Sequence, residues 1–109
     1  MTPQFAQAGD EGDLIALYRA CFPEDPEDFW RWLLTRGPYR PGNTLVQRDG
    51  EVIAASLQMI PLELEIGGGA CPAHYIYAAA TLPQYRGAGR MASLLTQAAE
   101  EGRARGQQY

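Results

Sequence analysis

The sequence predicts an α/β fold of the mixed-sheet, α+β kind in one domain over residues 1–109. Three observations predict it. Two helix-spaced apolar patterns come first, ending near Phe22 and Leu34. Extended apolar runs punctuated by turn residues fill the middle, from Asn43 to Thr81. A glycine loop, Gln84 to Gly89, then opens a third helical pattern. A chain of 109 residues with 46% apolar and 20% charged residues can bury one small core and lies outside the disordered range.

Gln4 to Ala8 reads as a short first strand. Gly9-Asp10-Glu11-Gly12-Asp13 is a helix entry, because aspartates suit free N–H groups and the positive end of the dipole. Leu14, Leu17, Tyr18, Cys21 and Phe22 then recur at helical spacing up to Pro23. A second helix follows, with Asp25 as cap, Pro26 at the first helical position and Asp28 in the first turn. Its apolar face is Phe29, Trp30, Leu33 and Leu34, and Gly37-Pro38 ends it. These two helices either cover one face of the sheet or form a flap that lines a substrate site.

Asn43 to Arg48 and Glu51 to Ile60 are strands joined at Asp49-Gly50, a strong hairpin signal. The second is apolar on both faces and should be central. Pro61 implies a kink or bulge, after which Leu62 to Ile66 alternates as a half-exposed extension. Gly67-Gly68-Gly69 turns the chain into a strand over Ala73 to Thr81, paired antiparallel with the previous one. The last helix starts near Arg90, carries Met91, Leu94, Leu95, Ala98 and Gly102 on one stripe, and has Gly106 as its C-cap.

Composition excludes several function classes. A net charge of −4 and a pI near 4.8 argue against nucleic-acid binding, which needs a basic surface. Cys21 and Cys71 form no CxxC pair and read as small apolar thiols of a reducing compartment. With His74 as the single histidine, no metal site is expected. Neither a membrane-length apolar run nor a signal-peptide pattern is present, so no membrane partner is expected and the expected location is cytoplasmic.

Chemistry concentrates between Tyr75 and Gly106. A strand, a glycine-containing loop and a helix N-terminus together make an anion site, since free N–H groups and the helix dipole both point at the loop. Gly87-Ala88-Gly89-Arg90-Met91-Ala92 matches the dinucleotide pattern G-x-G-x-x-G/A. The match lacks its βαβ context and the acidic residue about 20 positions on. A phosphate loop of the Gly-Lys-Ser/Thr kind is excluded, because no such residues follow.

The fuller pattern, Pro83-Gln84-x-x-Gly87-x-Gly89 after a strand, resembles the acetyl-CoA loop Q/R-x-x-G-x-G/A of the GCN5-related N-acetyltransferases. The order strand, two helices, hairpin, strand, loop, helix is similar to the N-terminal half of that family's domain. The Ala79-Ala80-Thr81 lead-in is similar to its enhanced-intracellular-survival branch. The resemblance implies an acyl-CoA N-acyltransferase fold and an acetyl-CoA-dependent transfer of an acetyl group to a primary amine, carried by a small molecule or a protein. It implies that Gln84, Arg86, Gly87, Ala88, Gly89 and Arg90 bind the cofactor's pyrophosphate, with the backbone N–H groups of Arg86 to Arg90 as donors. It implies that pantetheine runs along Ala80, Thr81 and Leu82 like an added strand. Arg86 and Arg90 could reach phosphate oxygens or stand solvated or ion-paired.

Catalytic residues are not singled out. Tyr75, Tyr77 and His74 lie on or beside the last strand, with Tyr75 and Tyr77 on one face and His74 on the other. Packing is the ordinary role for a strand tyrosine. The Gln58/Met59 region of the neighbouring strand could line an acceptor pocket. The family has further strands and a helix after this point, so the domain is expected to be incomplete and to hold half of the cleft. The last strand would keep an open apolar edge, which predicts a homodimer or a covering partner. A non-catalytic acyl-CoA-binding or interaction module, or a purely structural domain, is the alternative.

Overall fold

The computed structural model describes residues 3–36 and 40–107. Its elements run β1 (Gln4–Phe5), α1 (Glu11–Cys21), α2 (Glu27–Thr35), β2 (Thr44–Asp49), β3 (Val52–Ile66), β4 (Gly69–Thr81) and α3 (Arg90–Ala104). The strands form one antiparallel sheet in the order β1-β2-β3-β4. This is the α+β mixed architecture that the order of patterns predicted, with β3 central and β4 at an edge. No helix among the described residues is long and apolar enough to cross a membrane.

The sheet separates two cores. On one face α1 and α2 bury Leu14, Leu17, Tyr18, Trp30 and Leu33 against Val46, Ile53 and Ala80. On the other, α3 buries Leu94 and Ala98 against Leu45, Ala55, Leu57 and Met59. Residues Ile53 to Met59 of β3 are buried without a break because helices cover both faces. Beyond Ile60 the burial of β3 lapses. Leu62, Leu64 and Ile66 stand 37%, 38% and 46% exposed on a two-stranded ribbon.

Several element ends differ from expectation. β1 is two residues rather than Gln4 to Ala8. Pro26 is the N-cap of α2, with extended ψ 154°, so Asp25 is displaced one residue upstream. Its N–H instead closes a turn on the Phe22 carbonyl at 3.1 Å. The expected stop of α2 at Gly37-Pro38 lies outside the described residues. Asp10 is the N-cap of α1, but its carboxylate makes no cap bond. It turns back to the Gln7 N–H at 2.7 Å and to the Arg48 guanidinium. α3 ends as expected. Gly106 takes φ +78°, and the Gly106 and Gln107 N–H groups close on the Arg103 and Gly102 carbonyls at 3.1 and 2.8 Å.

The expected kink at Pro61 is absent. The register runs Ile60↔Tyr75, Pro61↔His74, Leu62↔Ala73 without a shift. β2 pairs with β3 only as far as Gln58, so a proline's missing N–H can face an open side there. The irregularities lie elsewhere. Ala54 is an extra residue of β3 between Gln47↔Ala55 and Arg48↔Ile53. In β4, Ala78 and Ala79 together oppose Leu57, between Ser56↔Ala80 and Gln58↔Tyr77. Ala78 takes φ +52°, a left-handed conformation that side chains disfavour. This second bulge bends the edge strand just before it enters the glycine loop.

Candidate functional site

A cleft of about 370 Å³ opens where β4 ends, the glycine loop turns and α3 begins. Ala79, Ala80 and Thr81 form one wall. Tyr85, Arg86, Gly87 and Gly89 form the loop side, and Arg90, Met91 and Ala92 the helix side. Cys21 and Phe22, at the C-terminal end of α1, close it from the flank. Two stretches far apart in the sequence, residues 21–22 and 79–92, therefore meet at one site.

The loop is built for backbone donors. Pro83–Tyr85 form one 3₁₀ turn, after which Gly87 and Gly89 adopt φ +86° and +75°. Both need glycine for that conformation. A Cβ on either would meet nothing within 4 Å, so the cleft side of the loop is open space. Gly89 is also the N-cap of α3, and the Ser93 N–H closes the first helical turn on its carbonyl at 3.0 Å. The helix N-terminus thus points unbonded N–H groups at the cleft. The Arg86 N–H is already donated to the Pro83 carbonyl at 3.3 Å, which removes it from the donor set expected over Arg86 to Arg90. Gly87, Ala88 and Gly89 N–H groups meet no backbone acceptor among the described residues.

The arginines are held in different ways. Arg86 Nε donates to the Thr81 carbonyl at 3.0 Å, and its Nη2 lies 3.9 Å from Cys21 Sγ. Arg90 lies over the Tyr85 ring at 5.0 Å and reaches Gln47 Oε1 at 3.5 Å. Tyr85 in turn donates to Asp49 at 2.8 Å, which ties the loop to the β2–β3 hairpin and raises the tyrosine's pKa.

Of the residues expected at the cofactor, Ala80, Thr81, Arg86, Gly87, Gly89 and Arg90 line this cleft. Ala88 lines a smaller adjoining cavity with Gln47 and Ser93. Gln84 is exposed beside the loop. The Leu82 N–H pairs with the Ala54 carbonyl at 2.9 Å, and its side chain faces α1.

The catalytic candidates scatter. Tyr75 and Tyr77 share a face, with ring centroids 6.0 Å apart, but neither lines the cleft. Tyr75 is 55% exposed. Partial burial, with the Asp25 carboxylate adding to it, raises the Tyr77 pKa, so its phenol stays protonated and suits donation rather than proton abstraction. His74 lies on the other face, with Nδ1 2.8 Å from Gln107 Oε1 and its ring packed against Gly102. Gln58 and Met59 are buried on opposite faces, Gln58 donating to the Tyr18 hydroxyl at 2.9 Å.

Sequence reasoning missed Cys21 and Phe22 as cleft residues and Ala78 as the bulge. Cys21 looks like any other apolar helix position. A run of three alanines in a strand was the visible trace of the bulge, and it has no unique structural meaning.

An edge strand that bends into a glycine loop at a helix N-terminus, with helices on both faces of the sheet, defines an α+β domain with a cleft where the strand, the loop and the helix meet. The chain belongs to the acetyltransferase (GNAT) family, whose domain profile matches residues 3–109. No curated protein sequence matches at a significant level. Solved structures share the fold at low identity. A GCN5-related N-acetyltransferase from Anabaena variabilis has 21% identity and a TM-score of 0.81, covering 95% of this chain and 26% of that one. Eis1 from Mycobacterium abscessus has 14% identity and a TM-score of 0.80, covering 98% and 27%. A putative acetyltransferase from Agrobacterium tumefaciens has 19% identity and a TM-score of 0.72, covering 95% and 74%. The chain therefore spans about a quarter of the first two and about three quarters of the third.

Proposed function

We propose that this chain carries the donor half of an N-acetyltransferase site, binding acetyl-CoA for transfer of its acetyl group to a primary amine. One observation carries the reading: the left-handed Gly87 and Gly89 bring bare backbone to the N-terminus of α3, in the same cleft as the end of the bulged edge strand. The cofactor would supply the acyl group as a thioester. Gly87, Ala88 and Gly89 would hold its pyrophosphate through N–H groups, helped by the α3 dipole. Ala80 and Thr81 would present strand-edge backbone to its amide arm. Phe22 and Met91 would exclude water from the flank. In this reading the open edge of β4 is where the second wall of the cleft packs, from a further strand or a partner.

Calorimetric titration with CoA tests the reading. The wild-type chain should bind. Gly89→Glu should lose binding, because it forces a side chain into a left-handed position and sets a carboxylate at the anion site. Binding that survives this substitution would sink the assignment.

A non-catalytic acyl-CoA-binding module is the second reading. It is favoured by the cleft lining, whose titratable side chains are Cys21, Tyr85, Arg86 and Arg90, with no carboxylate or imidazole among them to take a proton from an ammonium. A single-turnover assay with acetyl-CoA and a panel of primary amines separates the two. Acetyl transfer above the rate without protein supports the enzyme, and CoA binding without transfer supports the module.

A further inference from the structure

Thr81 is the last residue of β4, at the edge where a ligand would pair with backbone. Its carbonyl has two donors in the structure, Arg86 Nε at 3.0 Å and the Cys21 thiol at 3.3 Å. A carbonyl oxygen has two lone pairs, so both are engaged. Arg86 also closes on Cys21 itself, at 3.9 Å, and all three residues line the cleft. The guanidinium therefore lies across the strand end rather than reaching outward as a ready phosphate ligand. Arg86 is exposed, so it can leave this position with little loss of packing. Cys21 is half-buried on α1 and is less free to move.

We infer that Arg86 is a built-in competitor for the Thr81 carbonyl, displaced only by a donor whose phosphate groups offer the guanidinium a better partner. The inference rests on the donor-site reading above and adds a specificity-determining residue to it. An amide N–H that approaches Thr81 must take the place of a charged donor. A ligand with pantetheine alone displaces Arg86 into water. A ligand that also carries a pyrophosphate receives Arg86 in a bond charged at both ends, in place of one to a neutral carbonyl. The exchange favours phosphorylated thioester carriers over short thioesters with the same amide arm.

Calorimetry with two probes, CoA and pantetheine, on wild type and Arg86→Ala tests this. Wild type should bind CoA and bind pantetheine far more weakly. Arg86→Ala should bind pantetheine about 3- to 10-fold more tightly than wild type does, the worth of roughly one net hydrogen bond, and CoA more weakly. A merely phosphate-binding or structural arginine would leave pantetheine affinity unchanged or lower, and that result overturns the inference. The two failures are distinguishable. Wild type that binds no CoA sinks the donor-site reading and the Arg86 role with it. Wild type that binds CoA, with no gain for pantetheine in Arg86→Ala, sinks the Arg86 role alone. Because the side chain is exposed, an unchanged circular dichroism spectrum is expected for the variant.

Discussion

At the scale of single residues, the buried Tyr18–Gln58 pair shows how polar groups limit this small core. Tyr18 is fully buried beneath the sheet, and burial pushes its pKa up to about 12, opposed by the hydrogen bond from Gln58. Between the unfolded value near 10 and about 12 the unfolded chain loses this proton first, so stability falls as pH rises through that window. Below pH 10 the contribution is fully present. Tyr18→Phe leaves the Gln58 amide without its partner and should cost about 1–3 kcal/mol at neutral pH. Urea unfolding of both proteins checks this, and the gap between them should narrow above pH 10. A gap that widens there would refute the assignment. Tyr18 was legible as a core position from helical spacing. Its partner was not, because a glutamine in an apolar strand gives no sign of where its amide will find a hydrogen bond.

At the scale of elements, β4 contains the feature that shapes the site. Its bulge holds Ala78 at φ +52°, a conformation that costs a non-glycine residue about 1–2 kcal/mol. Ala78→Gly should relieve that strain and, after the larger entropy of the unfolded glycine chain, gain about 0.5–1 kcal/mol. Ala78→Val should lose at least as much, since a branched side chain fits the left-handed region worse. Midpoints of urea unfolding read both directions, and a stabilising valine would show the bulge is misplaced. The turns at Asp49-Gly50 and Gly67-Gly68 were visible in the sequence because positive φ there selects glycine. The bulge was not, because alanine tolerates many conformations. Pro61 misled in the opposite direction: it signals a break only where both strand edges are paired, and β3 has one free side there.

At the scale of the whole molecule, β4 is an edge strand among the described residues. From Gly69 to Thr81 β4 contains no Asp, Glu, Lys or Arg, the residues that usually discourage edge pairing. Tyr75 and the ribbon residues Leu62, Leu64 and Ile66 add exposed apolar surface on the same face. We expect concentration-dependent self-association, measured by sedimentation velocity over a tenfold range, and we expect Tyr75→Lys, at a side chain 55% exposed, to reduce it. A single monomeric species at every concentration would count against this expectation.

The order of helices and strands, the glycine loop and the α3 stripe, apart from Leu95, which stands exposed, followed from the sequence by itself, because periodicity and turn chemistry act between neighbours in the chain. The loop could therefore be read as an anion site before any contact was known. Tertiary structure decided the rest. It brought Cys21 and Phe22 from α1 to the end of β4, placed the bulge at Ala78, set the His74 ring against Gly102 and Gln107, and turned Arg86 back onto Thr81. Each of these depends on which residues meet across the sheet, and a local pattern does not encode that meeting.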